Sequence, residues 1–350
     1  MRGVGWLIVL HWLLVASGSV EAGTPRFELV PLGVFGGEIE GNSSSYLLKE
    51  LGGTDGILLD AGSPVSGILK GIGSDTTASA STASIASAST ASTASIAKVR
   101  DALLHTKAIF LTHSHLDHIH GFALMMPLYL EGPLKGTTTD VYGSETTLGA
   151  IRKTLFGGSL WGDFSRIPSE ARPVVRFRTL PQSTPISVVG LNVESIAVQH
   201  PVPSVAYFVA ASDGAVYLHV GDTGPTEAVW IKARSLLQEH RLKALSIECS
   251  FGSVQAKLAL ATGHLTPALL VRELSKLAGI TPGSETPSTE FGLDKARVLA
   301  PRLVKALGSL RIFVTHIKPG SYDEVRRELA RLGQAGLSLE VVKQGEPVRF

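Results

Sequence analysis

Apolar and polar positions are distributed differently in the two ends of the chain. Early on, apolar residues alternate with polar ones or run unbroken for a few positions; late in the chain they recur at helical spacing. Residues 27–35, 45–48 and 56–60 read as strands broken by Gly and Asn turns. Residues 107–111 are apolar after the first position, a short buried strand, and 119–129 suggest a helix after it. A second strand-rich block covers 186–198, 205–210 and 215–220. Helical patterns follow at 226–240, 266–277, 293–307 and 321–332, with strands at 244–248 and 310–315 between them. Short buried strands separated by helices predict sheets covered by helices, a layered α/β domain.

Two stretches fall outside this pattern. Arg2 precedes the apolar run of residues 4–16, which gives way to small and polar residues ending in Val20-Glu21-Ala22. That order predicts a secretory signal over residues 1–22, cleaved after Ala22, and places the protein outside the cell or in a periplasm. The rival reading is an uncleaved membrane anchor, but the run is shorter than the ~20 apolar residues needed to span a bilayer; no later window is long and apolar enough to span, so no stable membrane insertion is expected after cleavage. From 76 to 97 every residue is Ala, Ser, Thr or Ile, and Ser81–Ala86 recurs as Ser92–Ala97. With almost nothing to bury, this tract is expected to be a mobile insertion in a surface loop. No other linker divides the chain, so residues 23–350 are expected to form one domain.

Composition narrows the chemistry. Of 350 residues 44% are apolar and 18% charged, enough for a sizeable core. Lys and Arg number 32 against 30 Asp and Glu, and no basic stripe marks a nucleic acid partner. The single cysteine, Cys249, excludes an internal disulfide and a CxxC motif. A metal site would have to be built from His and carboxylates.

Such a set stands where the strand at 107–111 ends: Thr112-His113-Ser114-His115-Leu116-Asp117-His118. Alternation sends His113 and His115 to one side, and a helix starting after them would bring Asp117 and His118 to the same mouth. A lone histidine is ordinarily a hydrogen-bonded surface or core residue. Clustered histidines repel when protonated, and a divalent cation is the usual reason to hold them together neutral.

The H-x-H-x-D-H pattern resembles the signature of the metallo-β-lactamase superfamily. The ordered set His113–Gly121, Gly221-Asp222-Thr223, Ile247–Phe251, Gly263–Thr266 and Thr315–Lys318 resembles the class II 3′,5′-cyclic-nucleotide phosphodiesterases within it. The resemblance implies a four-layer αβ/βα sandwich and two divalent ions, with zinc favoured. It implies one ion on His113, His115 and His200, the other on Asp117, His118 and His316, and Asp222 bridging both. It further implies that His264 donates to phosphate or to the departing oxygen, and it allows a homodimer. The expected reaction is hydrolysis of cyclic AMP or cyclic GMP to a nucleoside 5′-monophosphate. Asp60 resembles an early strand-end aspartate that orients ligands, and Glu248 is a candidate for similar work.

Other readings have a place. His120 and His219 are expected to be a helix-surface and a sheet residue, Cys249 an apolar filler, and the segment 156–162 a candidate for the purine pocket. The same scaffold could carry an RNA 3′-processing nuclease, lactonase or arylsulfatase, or a non-catalytic metal-binding protein. A nuclease would need a basic arm, which the net charge of +2 does not suggest.

Overall fold

The computed structural model describes residues 24–74, 93–281 and 291–350. The expected signal segment and positions 76–92 of the low-complexity tract lie outside the described residues. Positions 93–97 open a helix, so the end of that tract is not loop as expected.

Two seven-stranded sheets are built in chain order. The first takes β1 (Phe27–Gly33), β2 (Ser45–Glu50), β3 (Gly56–Ala61), β4 (Thr106–Phe110), β5 (Thr139–Gly143) and β6 (Val175–Thr179). The second takes β7 (Ile186–Val188), β8 (Leu191–Val198), β9 (Ser204–Ala210), β10 (Val216–His219), β11 (Leu242–Glu248), β12 (Arg311–Thr315) and β13 (Glu340–Val341). The last strand, β14 (Val348–Arg349), returns to pair with β1 at the edge of the first sheet. Along β14-β1-β2-β3 neighbours are antiparallel and along β3-β4-β5-β6 parallel. The second sheet repeats this plan, antiparallel along β7-β8-β9-β10 and parallel along β10-β11-β12-β13.

The sheets pack face to face. Leu29, Leu48, Leu59 and Phe110 from the first meet Val193, Tyr207, Tyr217 and Phe313 from the second in one buried cluster. Outside the first sheet lie α1 (Pro64–Ser74), α2 (Thr93–Leu104), α3 (Leu116–Met125) and α4 (Glu145–Thr154). The second sheet is covered by α5 (Ala228–Gln238), α7 (Pro267–Leu277), α8 (Leu293–Leu307) and α9 (Tyr322–Gln334), with the short α6 (Ala256–Ala261) before α7. The result is the four-layer αβ/βα sandwich that the sequence led one to expect. Central strands bury both faces, as β3 does at all six positions, and their apolar runs follow from that.

The structure departs from the sequence pattern in two places. The stretch 186–198 is two strands, because Val189 and Gly190 both take positive φ, 47° and 82°, and turn the chain. Between 130 and 180 the pattern predicted no regular elements, yet β5, α4 and β6 lie there. Their strands are short and half polar, and β6 is the sheet edge, which weakens the periodic signal. Among the described residues no helix is long and apolar enough to cross a membrane.

Candidate metal centre

Beyond β4 the chain stays extended to His115 and then enters α3, whose first turn carries Asp117 and His118. His113 is fully buried, and its ring centroid lies 4.6 Å from that of His115 and 4.1 Å from that of His118. The four donors therefore share one mouth, as alternation followed by a helical turn requires. Asp60, at the end of β3 with φ 55°, braces the turn from behind. It accepts from the Thr112 amide at 2.8 Å and bonds His118 Nδ1 at 2.8 Å. Burial alone would raise the Asp60 carboxyl, but the His118 and His219 imidazoles outweigh it and hold it well below the usual range.

The remaining groups arrive singly from the second sheet. His200 follows β8, Asp222 follows β10 and His316 follows β12. His316 takes φ 55°, a conformation rare outside glycine, and its amide donates to Val34 O at 2.7 Å. Gly36 lies against this imidazole: a Cβ there would sit 2.5 Å from Cε1. Gly263, at φ 69°, likewise leaves room for Pro201 and His200, and its carbonyl bonds His200 Nδ1 at 2.9 Å.

These contacts leave one nitrogen of each histidine facing inward. His118 uses Nδ1 on Asp60, His200 uses Nδ1 on Gly263 O, and His316 uses Nδ1 on Ser250 Oγ at 3.0 Å. His113 Nδ1 sits 3.0 Å from Thr112 Oγ1. The inward atoms crowd: His118 Nε2 and His316 Nε2 are 3.3 Å apart, and His200 Nε2 and His115 Nδ1 3.1 Å. His113, His115, His200 and Asp222 offer donor atoms all within 4.8 Å of one another, as do Asp117, His118 and His316. His113 Nε2 and Asp222 Oδ1 are buried without a hydrogen-bond partner. Buried polar atoms aimed together and left unpaired fit a divalent ion, since outer contacts that fix each ring are the usual support of a metal ligand.

Electrostatics agree. Burial pushes His113, His115 and His200 below the ordinary histidine range, aided by neighbouring imidazoles, so their lone pairs are free. Burial opposes charge on His118 too, but Asp222, Asp60 and Asp117 converge on it and push it well above that range. Asp222 is held well below the carboxylate range, burial being overcome by His316 and His118. Three carboxylates meeting in a buried space require positive charge among them.

His264 is held differently. Its Nδ1 bonds Glu248 Oε1 at 2.8 Å, and Ser250 Oγ lies 3.2 Å away. Burial works against protonation, yet the Glu248 carboxylate and Asp222 raise His264 above its ordinary range. Although His264 also groups with Asp222 and His316, its Nδ1 is committed to Glu248 and lies 4.0 Å from Asp222 Oδ2. Glu248, fully buried at the end of β11, further accepts from Thr223 N at 2.9 Å, beside Asp222. Thr266 caps α7 by accepting from Leu269 N, with Pro267 at the first helical position, which fixes the backbone entering from His264.

The structure thus brings together every expected site residue. His120 bonds Leu116 O on its own helix, and His219 is buried in β10 against Ser246, 2.8 Å away. Cys249 is buried, which pushes its thiol well up. Phe156 departs from expectation: it packs with Phe122, Phe164 and Phe177 in the outer core, leaving Leu160 and Trp161 exposed. The sequence reading gave no role to Thr112 or to Ser250. Ser250 donates to Glu248 Oε2 at 2.6 Å and contacts both His264 and His316. Its signal in the sequence is its place within the motif Ile247–Phe251, two residues after Glu248.

Comparison with known proteins agrees with this geometry. Residues 27–335 match the family described as cAMP phosphodiesterases class-II. A 3′,5′-cyclic-nucleotide phosphodiesterase of Aliivibrio fischeri is 25% identical, covering 98% of this chain and 98% of its own. A probable 3′,5′-cyclic-nucleotide phosphodiesterase of Yersinia pestis is 26% identical over 98% of this chain and 94% of its own. Among solved structures, unliganded yeast PDE1 superposes with a TM-score of 0.71 at 19% identity, covering 93% of this chain and 100% of that one. The metallo-β-lactamase fold protein YhfI of Bacillus subtilis follows the same fold, with a TM-score of 0.58 at 16% identity, covering 93% and 100%.

Proposed function

The chain belongs to the class-II cAMP phosphodiesterases, and from that premise we propose how its buried cluster works. The protein is a 3′,5′-cyclic-nucleotide phosphodiesterase, a metal-binding hydrolase. In our reading His113, His115 and His200 would hold one divalent ion, Asp117, His118 and His316 a second, and Asp222 would serve both. An all-nitrogen-and-oxygen set of this size suits zinc, which we propose as the native metal. Bound there, divalent ions would supply Lewis acidity toward water and the phosphoryl oxygens.

The chain's own groups do the rest. A new bond forms from the water oxygen to phosphorus as the bond from phosphorus to O3′ breaks, leaving a 5′-monophosphate. O3′ departs as a poor leaving group and needs a proton. We assign that proton to His264 Nε2, since Glu248 holds Nδ1 and favours the imidazolium. The proton that water loses restores His264. Asp60, Thr112, Ser250 and the Gly263 carbonyl keep the ligand rings aimed.

The observation that carries this reading is the pair of donor sets meeting at Asp222 with the Glu248–His264 pair beside them. Metal analysis and turnover of residues 23–350 test it. We expect two ions per chain and hydrolysis of cyclic AMP, cyclic GMP or both, with little action on a lactone. A stoichiometry that never exceeds one would break the shared-carboxylate scheme. We also propose export through residues 1–22, to a periplasm or the outside. The mature protein should then begin at Gly23, which N-terminal sequencing of the exported fraction checks.

A further inference from the structure

Lys318 stands two residues beyond His316, half-buried, where the chain turns into the short helical turn Pro319–Ser321. Its backbone is fixed, the amide donating to Ser250 O at 3.0 Å. Its ammonium makes no ion pair or hydrogen bond with any of the described residues, although the neighbourhood is rich in carboxylates. The carboxylate at the Gly37 rim is already engaged: Asp117 Oδ2 accepts from Gly37 N at 2.7 Å and lies 3.1 Å from His316 Nε2. Gly37 also locates the lysine tip, since a Cβ on that glycine would lie 3.2 Å from Nζ. On its other side Ser250, whose carbonyl holds the Lys318 amide, lies 3.2 Å from His264 Nδ1.

A half-buried cation beside a site that gathers divalent ions is repelled by them, and among the described residues no carboxylate pairs with it. Its placement makes sense only if an anion arrives between the lysine, the Gly37 rim and His264. We infer that Lys318 binds the phosphate of the substrate, holding a non-bridging oxygen of the cyclic diester. This rests on the phosphodiesterase reading above. Lysine suits the task as a compact charge able to follow the phosphate as the ring opens and a second negative charge develops.

The test uses the metal-loaded protein with inorganic phosphate as the probe, by equilibrium binding, alongside cyclic nucleotide kinetics. Lys318→Gln should weaken phosphate binding and raise KM by roughly 10- to 100-fold, the scale of one charge-assisted hydrogen bond. Metal content should stay at the wild-type level, because the tethering amide is unchanged. Lys318→Arg should recover much of the affinity. Unchanged phosphate affinity and KM in Lys318→Gln would overturn the inference, as would metal loss equal to that of His316→Ala. Should the wild type bind phosphate through Lys318 yet turn over no cyclic nucleotide, the functional reading falls and the anion site stands.

Discussion

The two sheets follow one pairing plan but furnish the candidate metal centre in opposite ways. The first sheet delivers His113, His115, Asp117 and His118 from a single turn, braced by one carboxylate, Asp60. The second delivers His200, Asp222, His264 and His316 from separate strand ends and a loop, spread over more than a hundred residues. A compact turn fixes its own geometry through covalent neighbours. Scattered donors need a shared anchor, and Glu248 with Ser250 provides it by touching His264, His316 and the residue after Asp222. The burden of alignment therefore falls on the second sheet, where Ser250 and Glu248 steady His264 and His316.

The largest effect is expected where the two arrangements meet. Asp222→Ala should take the metal content below one ion per chain, and turnover should fall by more than the roughly 10²- to 10⁴-fold attributed to a missing proton donor. His115→Ala, within the compact turn, should cost one ion only. Equal metal loss in the two variants, measured on protein prepared without chelator, would erase the distinction.

Next in size is His264→Ala, for which metal content should remain while kcat falls roughly 10²- to 10⁴-fold on cyclic nucleotides. The deficit should shrink on bis(p-nitrophenyl) phosphate, whose leaving group departs without a proton. Because Glu248 raises His264, activity on the cyclic substrate should persist through neutral pH and decline as pH climbs through that raised value. Glu248→Gln should move the decline to lower pH; a profile that does not move would detach the pair from the chemistry.

The smallest effect sharpens the picture most. Ser250→Ala should weaken the ion near His316 by about 10-fold, the lower end for an outer contact to a metal ligand, and leave the ion near His113 untouched. Chelator competition reads the two separately, and equal weakening of both would mean that Ser250 steadies the whole sheet rather than one ring.

How legible the molecule was follows the same division. The compact turn could be read from bare spacing, because alternation and one helical turn are local rules. His200 and His316 carry no local signal and needed the resemblance to a family, since only the packing of distant strand ends brings them near. The capping of α7 was visible in Thr266-Pro267, whereas β5, α4 and β6 were not, their half-polar edges blurring any period. Phe156 shows the limit from the other side, an aromatic in a Gly-rich segment that turned out to be core.

Gly36 has a bearing on genetics. It offers no donor, acceptor or charge, and any side chain there would occupy space held by the His316 ring. A saturation screen scored for catalytic loss should rank position 36 with the histidines, so that a residue without a side chain behaves as an active-site residue. Deep sequencing of survivors would then map a hole in the tolerated alphabet, marking where the enzyme depends on the absence of atoms.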